Sequence, residues 1–466
     1  MKVNIENTET PRYISKVKDL NHGRDLKVYV FTFGCQQNEA DSEKIRGMAV
    51  AMGYNLTDNS EDADLIILNT CAIREHAEVK ALSMLGRLKS LKLKKPEMLI
   101  GLAGCMANEE HNVVRLKRDF KYVDFTLEPN MLHRLPYLVY SALVDGERNF
   151  IYGLDVGDIT EGMPHVRQNK HRASVSIMYG CNNFCSYCIV PYVRGRERSR
   201  SMHDIITECR QLIENGCREI MLLGQNVNSY NAECDFADLV KAIANIDGDF
   251  KIKFMTSHPK DVSDKLIDVM ANTPKVAAHF HLPLQSGSDK ILKAMNRTYN
   301  KAGFLSTVAK LRRANPDITL STDIIVGFPG ESEEDFIDTL DVLSLVKFDT
   351  VYSFIYSQRA GTPAIKMENQ VDKETKSERM SRLLELQDKI SLECTLKFEN
   401  KALRILIDDA EINEGKCILK GRADNNKLVF TEGSADMVGT YRLVKIDRAL
   451  AFNMYGTIIN DEEIEK

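Results

Sequence analysis

Residues 173–188 read ASVSIMYGCNNFCSYC, which places Cys181, Cys185 and Cys188 within eight positions. The run 173–178 is mostly apolar and reads as a strand, and the cysteines follow at its exit. Three thiolates this close can wrap one face of an iron–sulfur cube, whose irons favour cysteine ligands. A four-iron cube held by three cysteines leaves one iron open, whereas an electron carrier is normally closed by a fourth. The competing readings are a zinc knuckle or three unconnected thiols.

Outward from this stretch, strand-like runs recur at 219–223, 251–255, 276–281, 319–326 and 350–355, with helical periodicity at 202–214 and 301–313. Hairpin turn signals are missing between them, so the segment predicts a full or partial parallel (β/α) barrel. Upstream, 27–33 (KVYVFTF), 64–69 and 99–103 predict strands, and 38–52 and 73–93 predict helices. That alternation predicts a parallel sheet covered on both faces, ending near residue 146. A Gly- and Pro-containing linker over 153–170 joins the two blocks. Downstream, 373–399 reads as a long charged helix. Short strand-like runs over 402–459, separated by Gly, Asn and Asp, predict a small antiparallel barrel, and only the tail DEEIEK (461–466) reads as disordered. The expected fold is α/β multidomain, with an N-terminal parallel α/β domain at 25–146, a linker at 147–170, a partial (β/α)6 core at 171–399 and a small β-barrel at 400–463.

Length and composition agree with several cores. The chain has 466 residues, 43% hydrophobic and 28% charged, with 62 Lys and Arg against 67 Asp and Glu, net −5. Collagenous and low-complexity classes are excluded, and global charge does not advertise a nucleic-acid binder. No apolar run reaches the ~20 residues of a membrane helix and the N-terminus carries no secretory h-region, so a cytoplasmic location is expected. The eleven cysteines are then metal ligands, redox groups or buried thiols before they are disulfides.

Cys35, Cys71 and Cys105 each fall just past one of the three N-terminal strands, in FGCQQN, NTCAIRE and GLAGCMA. Carboxyl ends of parallel strands line a common crevice, so these thiols can converge as a second three-cysteine set. Buried small hydrophobes are the alternative. Cys209, Cys217, Cys234, Cys394 and Cys417 lack ligand spacing and read as structural thiols.

The stretch GCNNFCSYC resembles the signature of radical S-adenosylmethionine (AdoMet) enzymes. Over roughly residues 25–460 the order of parts is similar to the methylthiotransferase family: an N-terminal three-cysteine domain, a radical AdoMet core and a C-terminal TRAM domain. The branch it most resembles acts on isopentenyladenosine at position 37 of tRNA. The supporting runs are Gly34-Cys35-Gln36 with Asn38, Cys71-Ala72-Ile73-Arg74-Glu75, Cys188-Ile189-Val190-Pro191-Tyr192 with Arg194 to Arg200, Gly224-Gln225-Asn226-Val227-Asn228, Ser257-His258-Pro259, Leu282-Pro283-Leu284-Gln285-Ser286-Gly287, and Gly327-Phe328-Pro329-Gly330-Glu331. Gln37 departs from the Met usual in this branch.

The resemblance implies two 4Fe–4S clusters, one on Cys181, Cys185 and Cys188 and one on Cys35, Cys71 and Cys105. The open iron of the first would chelate AdoMet, and reductive cleavage would give a 5′-deoxyadenosyl radical. The radical takes hydrogen from carbon 2 of the prenylated adenine, sulfur from the second cluster enters there, and a second AdoMet donates the methyl group. A low-potential electron donor of flavodoxin or ferredoxin type, a supply of sulfur and clusters, tRNA as substrate and a monomeric state are the expected partners and assembly. The same chemistry on threonylcarbamoyladenosine of tRNA or on a ribosomal-protein aspartate is the nearest alternative; a non-catalytic iron–sulfur RNA-binding protein is a second.

Polar residues at strand ends are the candidates for holding AdoMet: Gln225, Asn226, Ser257, His258, Gln285, Ser286 and Asp323, with the turn Gly327, Phe328 and Pro329 placed against the adenine by resemblance. Each could equally satisfy loop backbone. Residues 166–200 carry seven Lys and Arg against one Glu, and Arg194, Arg196, Arg198 and Arg200 are the candidate phosphate contacts, although Arg194 could instead pair with the AdoMet carboxylate. The stretch 73–95 is also basic, with seven Lys and Arg against two Glu, and a solvated helix face explains it as well. RNA binding by the barrel rests on the TRAM resemblance and on Phe430, Tyr441, Phe452 and Tyr455. The target base has to be splayed out of its loop to reach the radical.

Overall fold

The computed structural model of the chain describes residues 7–72, 75–153 and 159–460. Ile73 and Arg74 of the Cys71–Glu75 run, part of the expected linker and the tail 461–466 lie outside them. Two compact units are formed. The first takes the described residues up to Gln168 with Tyr179–Asn182 and Cys188–Arg198; the second takes Asn169–Met178, Asn183–Tyr187 and the described residues from Ser199 onward.

The first unit is a five-stranded parallel sheet in the order Asn55–Leu56, Lys27–Thr32, Leu65–Thr70, Leu99–Gly104, Phe125–Leu127. Its two central strands read LIILNT and LIGLAG and are buried at every position, as continuous apolar runs with both faces covered must be. Period-two alternation divides them. Leu65 and Ile67 face a core with Val17, Ile45, Met48, Leu135 and Leu138, while Ile66 and Leu68 face one with Ala81, Leu85, Leu88 and Leu116. The strands at 27, 65 and 99 stand where the sequence predicts them. The helix Thr10–Asn21 and the edge strands Asn55–Leu56 and Phe125–Leu127 are additions, too short or too polar to be read from periodicity.

In the second unit, Arg172–Ser176, Glu219–Leu223 and Lys251–Phe254 form one parallel sheet, and His279–His281, Thr319–Val326 and Thr350–Ile355 another. A parallel bridge between Ile252 and Val276 joins them, giving the six strands of a partial (β/α) barrel. The covering helices open on side-chain caps that set their starting points: Ser201 for Met202–Glu214, Asp235 for Phe236–Ala244, Ser263 for Asp264–Asn272, Asn300 for Lys301–Ala314, and Ser332 in a capping box for Glu333–Val346. The long helix Lys373–Leu396 is capped by Asp372.

The C-terminal segment closes into a barrel ordered Ala402–Asn413, Lys416–Ala423, Leu428–Glu432, Asn453–Ile459, Tyr441–Ala449. The expected small antiparallel barrel is present with four antiparallel pairs and one exception, the seam where Leu428–Glu432 and Asn453–Ile459 run parallel. The reason is parity: five strands closed in a ring cannot alternate direction all the way round. A charged cluster fastens the barrel to the core within this unit. Arg172 meets Asp408 at 2.7 Å and Glu219 at 3.2 Å, and Lys253 meets Glu219 at 2.6 Å. No helix among the described residues is long and apolar enough to cross a membrane.

Candidate metal centres and their surroundings

Cys35, Cys71 and Cys105 follow three neighbouring parallel strands of the first unit, all at the carboxyl edge. Glycines make the approach possible. Gly34 has φ +124°, and a Cβ there would lie 2.5 Å from the Cys71 Cβ; Gly104 has φ +90°, and a Cβ would overlap the Thr70 carbonyl. Asn38, one turn into the helix Gln36–Ala51, staples the loops by donating to the Phe33 and Thr70 carbonyls at 2.9 and 2.8 Å. Its Oδ1 accepts from the Cys35 thiol at 3.7 Å. Cys71 and Cys105 are buried and Cys35 is half-buried. Burial pushes the Cys105 thiol up, against the pull of the Arg194 guanidinium.

Arg194 belongs to the same unit and is 1% exposed. Its Nε donates to the Cys105 Sγ at 3.3 Å, and its Nη2 donates to Asn38 Oδ1 at 2.8 Å and Asp41 Oδ2 at 2.9 Å. Neighbouring Ile189 and Val193 pack with Ala72 and Cys105 in one small apolar cluster, so the chain after Cys188 rests on the loops of the N-terminal cysteines.

The second triplet is divided between the units: Cys181 and Cys188 fall in the first and Cys185 in the second. Gly180, at φ +80°, leaves no room for a Cβ against the Arg196 carbonyl, and the Cys181 N–H donates to the Gly195 carbonyl at 3.1 Å. In the second unit, Arg297 donates from Nη1 to the Cys185 Sγ at 3.3 Å, from Nη2 to the Pro283 carbonyl at 3.1 Å and from Nε to the Tyr299 hydroxyl at 3.0 Å. Each unit thus buries one guanidinium against one cysteine sulfur.

These residues fit iron–sulfur clusters better than single ions. Four-coordinate zinc, with Zn–S near 2.3 Å, sets its sulfurs about 3.8 Å apart. Among the described residues, Cys35, Cys71 and Cys105 do not bring their three sulfurs within 4.8 Å of one another; the group that does meet that spacing is Glu78, Glu109 and His111. Wider-set thiols with N–H donors on sulfur suit a multinuclear cluster.

Six of the candidates follow the carboxyl ends of core strands: Gln225 and Asn226 after Glu219–Leu223, Ser257 and His258 after Lys251–Phe254, and Gln285 and Ser286 after His279–His281. Asp323 instead sits inside the strand Thr319–Val326. Asn226 is 1% exposed; its Nδ2 donates to Asp261 at 2.7 Å while its Oδ1 is buried with no partner among the described residues. The Ser257 hydroxyl is buried and likewise without one. Orphaned buried polar atoms are rare in native proteins, and the amino, carboxylate and ribose groups of AdoMet supply matching chemistry. His258 accepts at Nδ1 from the Lys260 N–H, and burial, with Arg297 and Lys260 nearby, pushes its pKa down to about 2. The imidazole is therefore neutral, which suits orientation rather than acid catalysis.

Gln225 is half-buried at its strand exit. Gln285 (φ +71°) and Thr256 (φ +66°) are left-handed non-glycine residues at strand ends, the kind of strain that collects at functional sites. Gln285 donates its N–H to the Asp323 carbonyl at 2.8 Å, and Asp323 lies 3.5 Å from the His281 Nε2. Ser286 is turned inward, 3.4 Å from the Thr339 hydroxyl. In the turn, the Gly327 N–H donates to Glu331, which pairs with Arg379 at 2.8 Å. Phe328 packs with Ile291, Met295 and Tyr356, and Pro329 is buried.

The four arginines separate. Arg194 and Arg200 are buried, Arg200 donating to the Ser176 carbonyl at 2.7 Å and to Glu208 at 2.8 Å, so neither offers its guanidinium to solvent. Arg196 is exposed and Arg198 half-buried. On the barrel, Phe430 and Tyr455 stack at 5.5 Å, and Phe452 and Tyr455 are exposed. Tyr441 carries the Arg404 guanidinium 3.8 Å from its ring centre beside a cleft of about 400 Å³, also lined by Arg218 and Arg442. Sequence reading missed Arg297, Tyr299 and Asp41. Arg297 and Tyr299 carried no motif, and the signal for Asp41 was its position three residues after Asn38 on one helical face.

Known proteins resemble the chain along most of its length. Residues 175–343 match the Radical SAM superfamily, and residues 27–128 match Uncharacterized protein family UPF0004. A tRNA-2-methylthio-N(6)-dimethylallyladenosine synthase of Alkaliphilus oremlandii is 47% identical over 96% of this chain and 96% of its own length. One of Acetivibrio thermocellus is 47% identical over 96% of this chain and 95% of its own. The radical S-adenosylmethionine methyltransferase TsrM of Kitasatospora setae, solved with cobalamin and a [4Fe-4S] cluster bound, superposes with a TM-score of 0.55 at 12% identity over 73% of this chain and 77% of its own, a likeness of fold. On identity sustained along nearly its whole length, the chain belongs to the family of tRNA-2-methylthio-N(6)-dimethylallyladenosine synthases.

Proposed function

We propose that the protein methylthiolates carbon 2 of N6-isopentenyladenosine (the dimethylallyl form) at position 37 of tRNA. Cys181, Cys185 and Cys188 hold one 4Fe–4S cluster, and Cys35, Cys71 and Cys105 hold the second. When bound, the clusters and AdoMet supply reductive cleavage to a 5′-deoxyadenosyl radical, transferable sulfur and a methyl group. The chain's own residues position and enclose. Asn226 and Ser257 offer buried hydrogen-bonding atoms to AdoMet, neutral His258 orients without adding charge, and Gly327, Phe328 and Pro329 form an apolar turn for the adenine. Gln225, Gln285, Ser286 and Asp323 complete the rim of that pocket, with Ser286 acting through the loop it anchors.

RNA contact falls to Arg196, Arg198 and the barrel, read as a TRAM module, where Arg218, Arg404 and Arg442 line a cleft beside Tyr441 and where Phe452 and Tyr455 are open to stacking. A low-potential one-electron donor of flavodoxin or ferredoxin type and a sulfur supply complete the cycle in the cytoplasm.

The observation that carries this reading is 47% identity over 96% of the chain, a span that includes both triplets. Mass spectrometry of tRNA nucleosides from cells lacking the gene tests it. Isopentenyladenosine is expected to accumulate as its methylthio form disappears; loss of methylthio-threonylcarbamoyladenosine instead would assign the alternative substrate.

A further inference from the structure

The N-terminal cysteines share one buried cation. Arg194 directs Nε to Cys105 at 3.3 Å and Nη2 to Asn38 and Asp41, and Asn38 in turn receives the Cys35 thiol. One guanidinium therefore ties two of the three thiols together, and its Nη1 is buried with no partner among the described residues. The arrangement is more than an ion pair. A guanidinium needing only Asp41 could take both carboxylate oxygens through two N–H groups, the bidentate geometry this pair favours. Here Nη2 alone reaches Asp41, and the Nε of the same fork is directed at sulfur.

We propose that Arg194 is a positioning residue of the N-terminal cluster, whose N–H···S bond to Cys105 and fixed charge favour the reduced form of that cluster. The inference rests on the proposed ligation by Cys35, Cys71 and Cys105. Adding an electron makes the cluster and its sulfurs more negative. A donor on sulfur and an adjacent buried cation stabilise that state more than the oxidised one and so raise the potential. Because Arg194 is 1% exposed, its field is little screened by salt. Asp41 works in the opposite direction, offsetting part of the charge at 2.9 Å. In this assignment Arg194 makes no contact with RNA phosphate.

The test uses the full chain with Cys181, Cys185 and Cys188 changed to Ala, reconstituted anaerobically and titrated with dithionite under EPR. Iron bound by this parent establishes the second cluster; a parent without iron overturns the ligation reading and leaves the Arg194 contacts a structural network. With iron bound, Arg194→Met is expected to lower the reduced-to-oxidised ratio at fixed potential about tenfold, which is about 59 mV for one electron. Arg194→Lys keeps the charge but loses the Nε donor, and a smaller shift of the same sign is expected. Asp41→Asn is expected to shift the ratio the other way. A merely structural role predicts loss of iron in all three, or shifts of one sign. Should Arg194→Met not fold, the opposed signs of Arg194→Lys and Asp41→Asn decide. Parent-like titration in those two variants, or weakened tRNA binding in Arg194→Lys with an unchanged potential, overturns the proposal.

Discussion

Gly34→Ala is a one-methyl perturbation that separates the two cysteine sets. The native backbone at Gly34 sits at φ +124°, and the added methyl would lie 2.5 Å from the Cys71 Cβ and 3.1 Å from its Sγ. Ordinary carbon contacts begin near 3.5 Å, so Cys71 or the Gly34 backbone has to move by about 1 Å. Left-handed strain of about 1–3 kcal/mol and overpacking of about 1–3 kcal/mol give a total of about 2–6 kcal/mol. That is smaller than most of the roughly 5–15 kcal/mol by which folded domains are stable, so the chain is expected to fold while the site is distorted. An iron–thiolate bond does not tolerate a displacement of that size. Anaerobically reconstituted Gly34→Ala should therefore carry about half the iron of the wild type, with two 4Fe–4S sites reduced to one. It should still cleave AdoMet to 5′-deoxyadenosine and yield little methylthiolated nucleoside. Full iron content with normal product would refute both the close approach of these loops and the role given to Cys71. Loss of AdoMet cleavage as well would show that the two cysteine sets do not separate in this way.

Cys181→Ala should abolish AdoMet cleavage, whereas Cys71→Ala should retain it and lose sulfur insertion, both read by chromatography of 5′-deoxyadenosine and of digested tRNA. Arg442→Gln at the barrel cleft should weaken tRNA binding and reduce the salt slope by about 1, with AdoMet cleavage in the absence of tRNA unchanged. Burial pushes Asp408 up to about 6, outweighing Arg172 at 2.7 Å, and the like charge of Glu219 adds to the rise. A carboxyl raised on folding binds its proton longer in the native state, so stability from this group is full below about pH 4 and falls by roughly 3 kcal/mol as pH rises through 6. Denaturant titrations at pH 4.5 and 7 should show that slope in the wild type and not in Asp408→Asn; equal slopes would refute it.

Local sequence determined a good deal. The apolar runs 64–69 and 99–103 read as strands buried on both faces and are so, and the run 27–33 read as a strand and is one with its second face only half-covered. The six repeats after residue 170 read as strands alternating with helices. The spacing of Cys181, Cys185 and Cys188 lies within one loop, so it needed no fold to be legible. What the linear order could not say was which long-range neighbour each polar group would meet. Arg194 and Arg200 look like their neighbours Arg196 and Arg198 in the run RGRERSR, yet two are buried against Cys105, Asp41, Ser176 and Glu208, one is exposed and one half-buried. Arg297 carried no motif and proved to hold Cys185, 112 residues away in sequence. The antiparallel reading of the barrel holds at four pairs and departs at the fifth for a reason no local pattern contains, since strand direction at the closing seam depends on how many strands share the ring. Hydrophobic periodicity is written residue by residue; the partner of a buried charge is set only when distant loops are brought to the same strand ends.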